Sequence, residues 1–220
     1  MSEEMRLLKD GADLLGVELD EGQLCQFDIY RNELLRWNEK INLISEKSAG
    51  EIITRHFLDS LSAARFIPEG EPCMLDAGTG AGFPGIPLKI ALPGIKLYLL
   101  EANRKKISFL KNVIRELELD QIQIIHDRTE NVLSREIWRG KFGVVISRAA
   151  FKLPDLLDMA DYFLGPKGLL ITLKGPDVQA ELAPIVANPH VSENYKINQY
   201  VTDWKTHDAY RKIIVFQRVR

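Results

Sequence analysis

Cysteine is scarce in this 220-residue chain. Cys25 and Cys73 are too few for a disulfide framework, and both read as reduced core thiols. Four scattered histidines, His56, His126, His190 and His207, lack the paired spacings of a zinc site, so no metal is expected. No apolar run approaches the roughly 18 residues of a membrane span. Met1-Ser2-Glu3-Glu4-Met5-Arg6 has no basic region leading into an apolar one, so export is disfavoured and a cytoplasmic location is expected. Strong net charge is missing too: the balance is −2, which argues against a uniformly basic nucleic-acid binder. Internal repeats and low-complexity segments are absent. What remains is an ordinary globular composition, 45% hydrophobic and 27% charged, at a length that suits one domain plus an appendage.

The charge is unevenly spread. Residues 1–70 hold 8 basic and 14 acidic residues, whereas residues 71–220 hold 21 and 17. A polyanionic partner would therefore meet the second part, through clusters such as Arg104-Lys105-Lys106 and Arg211-Lys212, although such clusters also simply solvate a surface.

Residues 1–70 read as helices. Phe27, Tyr30, Leu34, Trp37 and Ile41 recur at spacings of three and four, as do Ile53, Phe57, Leu61 and Ala64, each set forming one apolar stripe. Pro68-Glu69-Gly70-Glu71-Pro72 ends this pattern and marks a boundary. Five short apolar runs follow: Cys73 to Asp76, Lys96 to Glu101, Gln121 to Ile125, Gly143 to Ile146 and Gly168 to Leu173. They read as strands alternating with amphipathic helices, clearest from Arg104 to Leu117 with Ile107, Leu110, Ile114 and Leu117 on one face. That alternation predicts a parallel sheet covered by helices on both faces. Lys196–Thr202 and Arg211–Val219 lack an intervening helical pattern and predict an antiparallel hairpin at one side, seven strands in all.

Directly after the first strand stands Asp76-Ala77-Gly78-Thr79-Gly80-Ala81-Gly82-Phe83-Pro84-Gly85. Glycines there let backbone approach a ligand in the crevice at the strand ends. Glu101 ends the second strand 19 residues after Gly82, where an acid accepts hydrogen bonds from ribose hydroxyls. The dinucleotide fingerprint fails, because Phe83 stands where its third glycine belongs. Asp-x-Gly-x-Gly-x-Gly instead resembles the first motif of Rossmann-like S-adenosylmethionine-dependent methyltransferases, whose cofactor has no pyrophosphate to grip. Thr129 and Glu130 follow the third strand, either reading an adenine edge or serving as a helix N-cap with an acid in the first turn. Ser147-Arg148-Ala149 follow the fourth, where Arg148 serves the ligand or a phosphate, or sits in a surface ion pair.

Several longer matches narrow the class. They are Trp37-Asn38 with Ile41-Asn42-Leu43, then Arg55-His56-Phe57-Leu58-Asp59-Ser60, then the glycine loop continued through Ile86-Pro87, then Ser147-Arg148-Ala149, and Leu173-Lys174-Gly175. Over most of its length the chain resembles the bacterial 16S ribosomal RNA guanine-N7 methyltransferases once called glucose-inhibited division protein B. The resemblance implies an N-terminal helical extension over residues 1–70 packed on a methyltransferase domain over 71–220. It implies S-adenosylmethionine contacts at Gly78, Gly80, Phe83, Glu101, Ala102, Asn103, Thr129, Glu130 and Arg148, with Thr129 replacing a small apolar residue. The implied substrate is N7 of one guanine, position 527 in the 530 loop of the small-subunit RNA. That nitrogen carries an exposed, unprotonated lone pair, so positioning suffices and no catalytic acid or base is expected. Arg55, His56, Arg148 and Lys174 are candidates for holding RNA. Arg55 with Asp59, four residues on, equally reads as an intrahelical ion pair, and His56 as a helix-packed side chain. A monomer acting on 16S RNA or the small subunit is the expectation. Two alternatives stay open: a methyltransferase of a small molecule or protein, and a non-catalytic cofactor-binding ribosome-assembly factor.

Overall fold

The computed structural model describes residues 1–45, 51–70, 72–175, 177–206 and 209–219. Glu71 of the boundary segment and His207 lie outside the described residues. Helix α1 (Glu3–Leu14) starts at Ser2, whose hydroxyl accepts from the Met5 amide at 3.3 Å. Helix α2 (Glu21–Asn38) starts at a capping box. The Gln23 amide donates to the Asp20 carboxylate at 2.8 Å, and the Asp20 amide donates to the Gln23 side chain at 2.9 Å. Phe27, Tyr30 and Leu34 are buried as their spacing requires, whereas Trp37 is half-buried and Ile41 lies past the helix end. The expectation of two core thiols is corrected: Cys25 is exposed and Cys73 only half-buried. Cys25 sits next to Leu24 but about 100° further around α2, on the side turned away from the core.

The second apolar stripe forms a wide π-helical turn over Ile53–Leu58 that runs into α3 (Asp59–Leu61) and a 3-10 turn over Ala64–Phe66. Ile53, Phe57, Leu61 and Ala64 are all buried. Strands and helices then alternate: β1 (Cys73–Ala77), α4 (Gly85–Ala91), β2 (Lys96–Glu101), α5 (Arg104–Glu116), β3 (Ile122–His126), α6 (Thr129–Val132), β4 (Phe142–Arg148), α7 (Leu153–Phe163) and β5 (Leu164–Lys174). Helices α8 (Gln179–Val186) and α9 (Pro189–Asn194) lead to the hairpin β6 (Tyr195–Thr206) and β7 (Ala209–Arg218).

The seven strands are ordered β3-β2-β1-β4-β5-β7-β6, the first five parallel and β7 antiparallel to both neighbours. Adjacent residues face opposite ways, so Met74, Val144 and Ile146 join a core beneath α1, α2, α4 and α5. Leu75, Val145 and Leu170 join the other, beneath α7 and α8. On α5 the buried set is Ile107, Phe109, Leu110 and Val113, with Ile114 only half-buried. The face is turned because α2 packs alongside: Phe109 lies 6.4 Å from the Tyr30 ring and 5.8 Å from that of Trp37. Strand order reverses between β1 and β4, and at that switch point the sheet opens a crevice at its carboxyl ends.

Candidate active site

The crevice has a volume of about 830 Å³. Its floor is the loop leaving β1. Gly78, at φ +71°, could not carry a side chain, since a Cβ would fall 2.7 Å from that of Ala150. Gly80, at φ +62°, faces open space in which the nearest atom to such a Cβ is the Lys106 Nζ at 3.9 Å. One glycine thus closes the loop against its neighbour, and the other leaves its backbone bare toward the crevice.

Four braces hold the loop. The Thr79 hydroxyl and the Gly85 amide both donate to Asp76 Oδ2, at 2.6 and 2.9 Å. The amides of Gly78 and Thr79 each donate to the Leu100 carbonyl at 3.1 Å. The Gly80 amide donates to Glu101 Oε2 at 3.0 Å, while Glu101 Oε1 accepts from the Asn103 amide at 2.8 Å. Finally the buried Tyr30 hydroxyl, from α2, donates to the Ala81 carbonyl at 2.5 Å. Glu101 therefore braces the loop as well as lining the crevice. Asp76 is wholly buried, and burial pushes its carboxyl up to about 7 although its two hydrogen bonds pull the other way.

The opposite wall is built on a buried carboxylate. Asp59 accepts a guanidinium from the end of β4, Arg148 at 3.1 Å, and pairs with another from β7, Arg211 at 3.2 Å. Arg148 also donates to the Arg55 carbonyl at 2.9 Å and meets His56 Nδ1 at 2.9 Å, with its guanidinium 4.9 Å from the Phe83 ring centre. The reading of Arg148 as part of a surface ion pair needs correcting, since the ion pair it makes is interior. Nor do Arg55 and Asp59 pair with each other. Arg55 pairs with Glu51, and Asp59 is taken by two arginines from the sheet, which out-compete a single helical neighbour in the dry interior. His56 stacks on Phe83 with ring centres 4.7 Å apart. Burial, reinforced by Arg148, Arg55 and Arg211, lowers its pKa to about 3, so the imidazole is neutral at pH 7.

Of the residues singled out from sequence, Gly78, Gly80, Phe83, Glu101, Ala102, Thr129, Glu130, Arg55, His56 and Arg148 all line this one crevice. Thr129 is not the N-cap of α6; Arg128 holds that place and Thr129 opens the helix. Asn103 caps α5 just outside, its side chain accepting from the Lys105 and Lys106 amides. Lys174 is also outside, buried, with Nζ donating to the Phe151 carbonyl at 2.7 Å and to Glu181 at 3.0 Å. Leu43, from the matched stretch Ile41-Asn42-Leu43, also lines the crevice, and lining residues that sequence reasoning left out include Ile44, Asp127 and Phe151, which nothing in their local pattern marks. Lys106 and Arg211 were visible only as members of basic clusters. Among the described residues, no group of three or more His, Cys, Asp or Glu is placed to hold a metal ion, and no helix is long and apolar enough to cross a membrane.

Comparison with known proteins bears on this geometry. Residues 23–207 match the family described as rRNA small subunit methyltransferase G. The chain is 43% identical over 181 residues to "Ribosomal RNA small subunit methyltransferase G" of Syntrophus aciditrophicus, covering 82% of this chain and 75% of that protein. It is 37% identical over 216 residues to the protein of the same name from Alkaliphilus oremlandii, covering 97% and 90%. Among solved structures, M. jannaschii TYW2 in complex with AdoMet superposes with a TM-score of 0.58 at 18% identity, over 81% of this chain and 78% of that one, which is a likeness of fold. A crevice at the sheet's switch point, floored by a braced glycine loop, thus sits in a chain matched nearly end to end: the protein belongs to the rRNA small subunit methyltransferase G family.

Proposed function

We propose that this chain transfers a methyl group from S-adenosyl-L-methionine to N7 of a single guanine, position 527 in the 530 loop of 16S ribosomal RNA. The observation that carries this reading is the braced glycine loop facing a crevice of about 830 Å³, large enough for a nucleoside-sized ligand and part of a second one, in a chain of this family. The bare backbone at Gly80, the Glu101 carboxylate, Ala102, and Thr129 with Glu130 would hold the cofactor, with Phe83, Asn103 and Arg148 supporting them. When bound, S-adenosylmethionine supplies an electrophilic methyl group on a sulfonium sulfur.

The chain's own residues have then to bind, orient and exclude water. Guanine N7 needs no proton removed, and alignment of this kind contributes roughly 7–11 kcal/mol. His56, neutral and packed between Arg148 and Phe83, serves as part of a rigid wall and not as a base. Arg55 and Arg148 complete that wall. Lys174 acts on it indirectly by holding the carbonyl of Phe151, which lines the crevice. The working unit in this reading is a cytoplasmic monomer, with the helical extension over 1–70 packed on the methyltransferase domain over 71–220.

The test is incubation with methyl-labelled S-adenosylmethionine and small subunits from cells lacking this gene, followed by reduction and chain cleavage at N7-methylguanine. One labelled site in the 530 loop is expected. Label on neither the subunit nor deproteinised 16S RNA, with cofactor binding intact, would overturn the substrate while leaving the cofactor site standing.

A further inference from the structure

Several cations in and behind the crevice wall are already spent, although Lys106 and Arg128 also line it. Arg55 pairs with Glu51, Arg148 and Arg211 both pair with Asp59, and behind the wall Lys174 pairs with Glu181. An RNA substrate brings its own phosphates, and those need cations that are free. Beside the crevice lies a smaller cavity of about 260 Å³, lined by Lys40, Ile41, Asn42, Asn103, Lys105 and Lys106. Three lysines converge there from two elements far apart in sequence, the segment after α2 and the first turn of α5, and no carboxylate shares the lining. None of the three ammonium groups has an ion-pair or hydrogen-bond partner among the described residues.

We propose that this cavity is a phosphodiester-binding site that anchors the RNA backbone beside the reacting base; the proposal rests on the RNA reading above. Its volume suits a phosphate with part of a sugar and is too small for a nucleoside cofactor. Lys106 also lines the cofactor crevice, with Nζ over the Gly80 backbone, so the two cavities share a wall and a nucleotide in one is adjacent to a phosphate in the other. The side chains carry the site, not the helix terminus. The Lys105 and Lys106 amides already donate to Asn103 Oδ1, at 2.9 and 3.3 Å, leaving the lysine ammoniums and the Asn42 carboxamide to face an anion. Lys40 and Asn42 come from the N-terminal helical part and Lys105 and Lys106 from the methyltransferase part, so one phosphate would tie the two together.

The test is the salt dependence of binding to a 16S RNA fragment carrying the 530 loop, measured for wild type, K40Q/K105Q and K167Q. Each phosphate contact contributes a slope of about 0.7–0.9 in log affinity against log salt concentration. K40Q/K105Q should lower the slope by about 0.7–0.9, the share of one phosphate, and weaken binding roughly fivefold at 0.15 M salt, with cofactor affinity and melting temperature unchanged. K167Q removes an exposed charge from the early part of β5, at the opposite end of the sheet, and should leave the slope alone. An unchanged slope in K40Q/K105Q, with wild type binding normally, overturns the site. So does an equal fall in K167Q, which would mark a general charge effect. If wild type itself fails to bind the RNA, the functional reading fails first and takes the site with it.

Discussion

Replacing Asp59 by asparagine keeps its shape and removes its charge, leaving two guanidiniums facing a neutral amide. The Asp59 side chain has no exposed surface, and Arg148 and Arg211 are 12% and 26% exposed, so solvent compensates them poorly. Removing one partner of such a buried pair costs about 3–5 kcal/mol, chiefly because the remaining charge is stranded. Against a total stability of about 5–15 kcal/mol this is a large fraction. For a chain of this size it corresponds to a fall in Tm of roughly 10 °C, from about 2–4 °C per kcal/mol. The contrast that isolates the cause is D59L/R148M/R211M, in which the whole cluster becomes apolar; replacing buried ion clusters in this way is often neutral or stabilising, so this variant should melt within a few degrees of wild type. Urea unfolding monitored by circular dichroism measures both. A D59N penalty below about 1 kcal/mol, or a triple variant less stable than D59N, would refute the account of Asp59 as the ion that holds two arginines in place.

Other expectations follow from the same geometry. Glu101→Ala should weaken S-adenosylmethionine binding by about 1–3 kcal/mol in calorimetry, since it both exposes the Gly80 and Asn103 amides and removes the acid facing the crevice. The Asp76 carboxyl, pushed up to about 7, binds a proton in the folded chain that the unfolded chain has released, so it erodes stability as pH rises from about 4 to 7. D76N should remove that erosion in urea titrations, and an unaltered pH profile would contradict it. His56 has the opposite sign: with its pKa lowered to about 3, its contribution is present above the ordinary histidine range and is lost as pH falls toward 3. Its ring proton shifts should stay constant between pH 5 and 8 in NMR, and a midpoint above 5 would show the imidazole less enclosed than it is here. Asn38 accepts from the Leu43 and Ile44 amides at 2.9 Å each, fixing a segment that lines the crevice. N38L should speed hydrogen exchange at those two amides while N38D preserves their protection.

Period and turn chemistry carried most of the fold. Lys96 to Glu101 forms a strand with the bounds its apolar run suggests, and the loop from Asp76 to Gly85 lands at the switch point because a parallel sheet leaves few other places for it. The site was legible where its residues are neighbours in sequence, as in Gly78, Gly80 and Phe83. It was illegible where the contact is made between distant segments. Asp59 and Arg148 are 89 positions apart, and Tyr30 and Ala81 are 51 apart, so no local pattern says which helix face will dock against which strand end. The Arg55 to Asp59 spacing offered a nearby partner, and tertiary packing supplied a better one. Cys25 shows the reverse error: a small apolar residue type suggests the core, but its place on α2 follows from the neighbours at three and four residues, which put Leu24, Phe27 and Leu34 inside.

The position of β7 bears on how the molecule is made. It is the last strand of the seven in chain order, yet it lies inside the sheet, between β5 and β6. As the chain emerges during synthesis, β5 has β4 on one side and nothing on the other, and β6 has no neighbour at all until residues 209–218 arrive. Until β7 is made, the nascent polypeptide therefore carries an open edge on β5 over Leu169–Lys174, a ready template for pairing with the wrong chain. Completion of the sheet is a zipping step in which one strand closes two ladders at once.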